Sequence, residues 1–229
     1  MRSFIQQRQA MKSVLRNNGL SLVLFLMFLL TWGGQSVVGW HVQNNELHEH
    51  GQAAVAYLDY LHSGGFVEVT MENWESEFFQ MFVYVVFTIF LYQKGSSESK
   101  SPDEKEDVDR DPRLSAHRAD APGPVRKGGW RLRIYENSLS LTFMALFLCT
   151  FFAHAAGGVH EYNDERAQHG EPALTLVQYL ASSQFWFESL QNWQSEFLAI
   201  WCMVVLSVFL RQRGSPESKP VDAPHSENG

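Results

Sequence analysis

Apolar residues in this chain are gathered into four runs, separated by stretches that charged and polar residues dominate. The first covers residues 20–40, with 20–30 almost purely apolar, and the third covers 139–159. About 20 residues each is enough for a helix to cross about 30 Å of hydrocarbon. The second and fourth runs, residues 78–92 and 197–210, are short for a span and on length alone fit buried soluble helices equally well. Trp74 and Trp193 at one end, Gly95 and Gly214 past the other, and the basic flanks Lys94, Arg211 and Arg213 favour spans. The pattern predicts an all-α integral membrane protein with four transmembrane helices.

The runs come in two copies. Shifting the chain by 119 positions aligns residues 18–100 with 137–219 without a gap, and about 33 of the 83 pairs are identical. The architecture expected is therefore two tandem hairpins, related in the same sense across the membrane. A basic start followed by an apolar run also fits a cleaved signal peptide, but the same element recurs at 139–159 in mid-chain.

Between the first two runs, residues 41–76 carry six acids and neither Lys nor Arg. Ala54, Leu58 and Leu61 stand there at helical spacing, and the matching loop of the second copy opens with Glu171-Pro172. Each outer loop is expected to hold a short interfacial helix. The organisation reads as a basic N-terminus 1–17, a first hairpin 18–94, a charged linker 95–134, a second hairpin 135–213 and a tail 214–229. The linker and tail have almost no apolar residues before Trp130 and are expected to lack fixed structure.

Charge adds orientation. Seventeen of the eighteen Lys and Arg lie before the first run, in the linker or after the fourth run; only Arg166 lies in an outer loop. The positive-inside rule then places both termini and the linker in the cytoplasm of a plasma (inner) membrane protein. The two cysteines, Cys149 and Cys202, lie inside apolar runs and read as buried small hydrophobes.

Asn73-Trp74-Glu75-Ser76-Glu77-Phe78 returns as Asn192-Trp193-Gln194-Ser195-Glu196-Phe197, and Gly95-Ser96-Ser97-Glu98-Ser99-Lys100 returns as Gly214-Ser215-Pro216-Glu217-Ser218-Lys219. With His169-Gly170-Glu171-Pro172, these motifs resemble the DUF6766-like family of bacterial multi-pass membrane proteins, a domain of unknown function. The resemblance implies a bacterial inner-membrane protein and brings no activity or catalytic residues with it.

Glu77 and Glu196 are the most pointed candidates. If the second and fourth helices begin near Trp74 and Trp193, both carboxylates sit at the outer headgroup level, where they form a polar membrane pair or cap a helix start with Asn73 or Ser76. Asn73, Trp74, Asn192 and Trp193 read as interfacial anchors. His41, Asn44, Glu46 and His50 recur as His160, Asn163, Glu165 and His169, donor types that suit a transition metal, joined by His48 in the first copy. Their nine-residue histidine spacing matches no zinc pattern, and loop histidines more often bond locally. His154 stands where the first copy has Gln35 and reads as a snorkelling residue at a helix end.

Phosphate-loop, nucleophile-elbow, zincin and paired-cysteine motifs are absent from the sequence. The reading is a non-enzymatic membrane protein with a structural, stress-related or partner-binding role. The alternatives are a small cation or proton transporter using Glu77 and Glu196, and an enzyme with an outward-facing metal site. No cofactor is expected. The partners expected are the bilayer, anionic headgroups at the basic flanks and a second copy of the chain, and not nucleic acid.

Overall fold

The structure is a computed structural model that describes residues 2–228, with side chains from Ser13 onward. Every regular element among the described residues is helical. The chain divides into two compact units, residues 1–66 and 67–229.

The first unit consists of α1 (Arg2–Glu49), α2 (Tyr57–Tyr60) and the start of α3 (Gly64–Phe87). α1 continues through residues 41–49, which the hydropathy pattern assigns to a loop; polar residues extend a helix once an apolar run has nucleated it. It stops at Gly51, whose φ of 69° lets the chain turn back, with Gln52 N–H donating to the Leu47 carbonyl. The return segment is clasped to α1: Asn44 accepts from Val55 N–H at 2.7 Å and donates to its carbonyl, which Trp40 Nε1 also reaches at 2.8 Å. These bonds hold the segment extended, so the expected interfacial helix shrinks to the single turn of α2.

The second unit adds α4 (Gly123–Lys127), α5 (Gly129–Glu136), α6 (Ser138–Gln168), α7 (Leu176–Leu180) and α8 (Ser183–Phe209). Its apolar centre is Ala155, Val159, Tyr179 and Phe185, flanked by Phe151, Tyr162 and Leu180. Further along, Phe79 of α3 meets Trp193 and Phe197 of α8 and Phe147 of α6, the first at 4.4 Å between ring centroids. Asn163 clasps Leu174 by the same two bonds that join Asn44 to Val55, 119 residues earlier. α7 therefore also starts late, at a Thr175–Gln178 capping box rather than at Pro172.

Among the described residues, three helices, not the expected four, are long and apolar enough to cross a membrane: Ser13–Glu49, Ser138–Gln168 and Ser183–Phe209. Only 6–17 % of their apolar windows is buried, so these surfaces are turned outward, as lipid requires. α3 falls short because its 24 residues include Glu68, Glu72, Glu75 and Glu77. Both α3 and α8 begin ten residues before Trp74 and Trp193, where Ser63 and Ser182 Oγ accept from Phe66 and Phe185 N–H. The capping role expected of Asn73 and Ser76 is thereby corrected: both sit inside α3, and Ser76 Oγ donates back to the Asn73 carbonyl.

The linker and tail, whose composition argues against a packed core, carry turns held by side chains. Lys94 pairs with Asp103, Lys100 with Asp109, and the short 3-10 helices Asp107–Asp109 and Pro112–Ser115 are capped by acids. Lys219 is enclosed, its Nζ donating to the carbonyls of Pro224, His225 and Glu227. Cys149 and Cys202 are unpaired and, contrary to expectation, neither is buried.

Candidate functional site

On α3, Glu68, Glu72 and Glu75 follow one another at spacings of four and three, which places them along one face. Gln184, Glu188 and Asn192 do the same on α8 at spacings of four. Between them stands His154, the seventeenth residue of the 31 in α6 and so mid-helix rather than at its end. His154 and Glu75 have no solvent exposure at all. The imidazole Nδ1 lies 2.7 Å from Glu75 Oε2, and Trp193 Nε1 donates to Glu75 Oε1 at 3.0 Å, so both oxygens of that carboxylate are committed. The ring stacks on Phe185 at 4.9 Å between centroids.

The other face of the imidazole is less satisfied. Its Nε2 is buried and makes no hydrogen bond, with Glu188 Oε2 3.5 Å away. Glu188 is itself fixed from two sides: Gln184 Nε2 donates to Oε1 at 2.6 Å and the Tyr179 hydroxyl donates to Oε2 at 2.7 Å. Glu68 Oε1 stands 3.4 Å from the same hydroxyl. Asn192 Nδ2 donates to Glu72 Oε1. One donor atom each from Glu68, His154 and Glu188 lies within 4.8 Å of the other two.

Tyr179 reaches this point because position 158 is glycine: a Cβ on Gly158 would overlap the hydroxyl and stand 2.9 Å from two ring carbons. Burial pushes the Tyr179 hydroxyl far above the ordinary phenol value, followed by its bond to Glu188, so it stays a proton donor across the physiological range.

The cluster is electrostatically lopsided. Four carboxylates surround one imidazole, and among the described residues His154 is the only ion-pair partner within 4.0 Å of any of them. Glu75 is fully withdrawn from water and Glu68, Glu72 and Glu188 are partly so, and grouping anions there without compensating positive charge is unfavourable, so the arrangement favours a bound cation, whether protons or a metal ion.

The residues singled out by sequence lie mostly elsewhere. Glu77 is exposed and Glu196 half-buried; the two carboxylates act on each other electrostatically across α3 and α8, and beside them Gln80 Nε2 donates to the Glu196 carbonyl at 2.8 Å. His50 and His169 bond the Glu46 and Glu165 carbonyls one turn back, and Asn44 and Asn163 hold the loop clasps. His41, Glu46, His160 and Glu165 are exposed, and none of the eight belongs to a group of three close donors among the described residues. Asn73 donates to the Val69 carbonyl, whereas Asn192 and Trp193 bond to Glu72 and Glu75 of the cluster. Glu68, Glu72, Glu188 and Tyr179 had no assigned role, and His154 had the wrong one. Glu68, Glu72 and Glu188 do carry a signal, the helical spacing of polar residues ahead of the second and fourth apolar runs; His154 and Tyr179 carry none.

No curated protein and no solved structure matches the chain. A family model described as a domain of unknown function, DUF6766, matches residues 11–229, and the chain belongs to that family.

Proposed function

We propose that this protein is a multi-pass membrane protein that binds and passes cations, with the polar cluster of α3, α6 and α8 as its working site in place of Glu77 and Glu196. The observation that carries the reading is His154: an unexposed imidazole five residues inside the end of the third apolar run, faced by four carboxylates that have no Lys or Arg ion-pair partner among the described residues. Ionisable residues at such positions are expensive and mark ion or proton paths.

The charge distribution supports the topology this requires. Keeping the basic N-terminus, linker and tail on one side needs an even number of crossings between the first two, and α3 is the helix able to supply the second. Its 24 residues span about 36 Å, and Glu75 is turned into the protein rather than toward lipid. On this reading both termini are cytoplasmic, and the chain is two tandem hairpins from an internal duplication, which the recurring clasps of Asn44 and Asn163 favour.

Reconstituted vesicles test the function. Proton, alkali-cation and divalent-cation flux is followed with entrapped dyes for the parent protein and for His154→Gln and Glu188→Gln. A flux lost in both variants, with insertion and folding retained, supports the reading. Absence of any flux in the folded parent returns the protein to a structural or partner-binding role.

A further inference from the structure

We propose that Glu68, His154 and Glu188 form a binding site for a divalent transition-metal ion, with Glu75 as the residue that orients the imidazole. The inference rests on the reading that the cluster takes cations and names the class.

The two nitrogens of His154 have different partners. Nδ1 faces a carboxylate at 2.7 Å whose second oxygen is already used by Trp193. A proton on Nδ1 therefore satisfies Glu75 and leaves a lone pair on Nε2, the tautomer that a metal needs and the arrangement in which a carboxylate behind a ligating histidine fixes its ring. That lone pair belongs to a nitrogen that is fully enclosed and makes no hydrogen bond.

The spacing suits coordination. Two donors each about 2.1 Å from a common ion at a tetrahedral angle stand about 3.4 Å apart. Nε2 and Glu188 Oε2 are 3.5 Å apart. The Glu68 oxygen, within 4.8 Å of both, closes the set by a shift of about 1 Å, within the reach of a glutamate side chain. Glu188 is held for the task by Gln184 on one oxygen and Tyr179 on the other, which leaves Oε2 a further lone pair.

The donor set selects the ion. One imidazole with two carboxylates suits zinc, manganese or ferrous iron; it is too nitrogen-rich for the all-oxygen sites of calcium and magnesium and lacks the thiolates that copper(I) prefers. Three protein donors leave coordination positions open for water or for a departing ligand.

Binding of Mn²⁺ and Zn²⁺ to the purified full-length chain in detergent tests the site. One equivalent per chain is expected, with affinity lowered at least about 100-fold by His154→Gln or Glu188→Gln and about 10–100-fold by Glu75→Gln, as for an outer-shell partner. His50→Gln and His169→Gln together leave the affinity unchanged. Pulsed electron paramagnetic resonance on the bound Mn²⁺ reads the site without any variant, through the coupling to a single imidazole nitrogen. No stoichiometric binding, no nitrogen coupling, or affinity retained in both His154→Gln and Glu188→Gln overturns the proposal. If proton or alkali-cation flux still disappears in those variants while metal binding is absent from the parent, the metal assignment fails and the cation reading stands.

Discussion

His154 Nδ1 and Glu75 Oε2 meet at 2.7 Å across 79 residues of sequence, and neither side chain is exposed. An enclosed carboxylate–imidazole pair of this kind is costly to break from one side. Glu75→Ala would strand the Trp193 indole N–H as well as the imidazole, so a loss of about 3–5 kcal/mol is expected. Glu75→Gln keeps one acceptor of two and should cost about 1–3 kcal/mol. Thermal unfolding in detergent measures both, against Glu77→Gln, which lies exposed two residues on and should change little.

Gly158 gives a second handle on the same site. In Gly158→Ala the new methyl group takes the place of the Tyr179 hydroxyl, forcing the ring off Glu188, and overpacking of this kind costs about 1–3 kcal/mol. Tyr179→Phe in the same chain removes the closest overlap but not the ring contacts, so stability should return only in part. A double-mutant cycle with a coupling energy near zero would show that the two positions do not press on each other.

These residues explain what could be read from the amino-acid order and what could not. The apolar runs place α1, α6 and α8 because hydropathy is local. The cluster escaped for two reasons. Tryptophan positions and the hydrocarbon thickness start the second helix too late and leave Glu68 and Glu72 in a loop, and the burial of a charge is decided by facing helices rather than by its neighbours in sequence. Identity between the two copies also points away from the charged groups of the site: Glu68, Glu72 and Glu75 stand opposite Phe187, Gln191 and Gln194, while His154 and Glu188 stand opposite Gln35 and Val69. The charged groups of the cluster stand where the copies differ, while Tyr179, Asn192 and Trp193, which bond to them, are kept in both copies.

Outside the membrane helices, Glu98 predicts a pH effect. Burial pushes its carboxyl above the ordinary 4.5, and nearby Glu217 adds to this against the bonds donated by Tyr84 and Ser97. The folded chain then holds this proton more tightly than the unfolded one, so its contribution to stability is present below pH about 4.5 and falls as pH rises through the folded value. Glu98→Gln keeps an acceptor for Tyr84 and removes the dependence. Melting temperatures of parent and variant should coincide near pH 4 and separate toward pH 7 in favour of the variant. Screening by solvent keeps the gap on the order of 2 °C in a chain of this size. A constant gap across that range would contradict the assignment.

The topology turns on α3. If only α1, α6 and α8 cross, the loop after α1 and the linker lie on one side and the loop after α6 on the other. If α3 crosses as well, both loops lie outside and the linker alone is cytoplasmic. Gln52, Ala119 and Gln168, all exposed, report on the three segments. Each is changed singly to cysteine in a background where Cys149 and Cys202 are replaced by serine, and intact cells are treated with a membrane-impermeant maleimide. Labelling of positions 52 and 168 from outside, with 119 reached only after lysis, is the pattern expected from seventeen basic residues on one side and one on the other. Shared behaviour of 52 and 119, opposite to 168, would remove α3 from the membrane. The carboxylates of α3 would then meet His154 from an aqueous face instead of from within the bilayer.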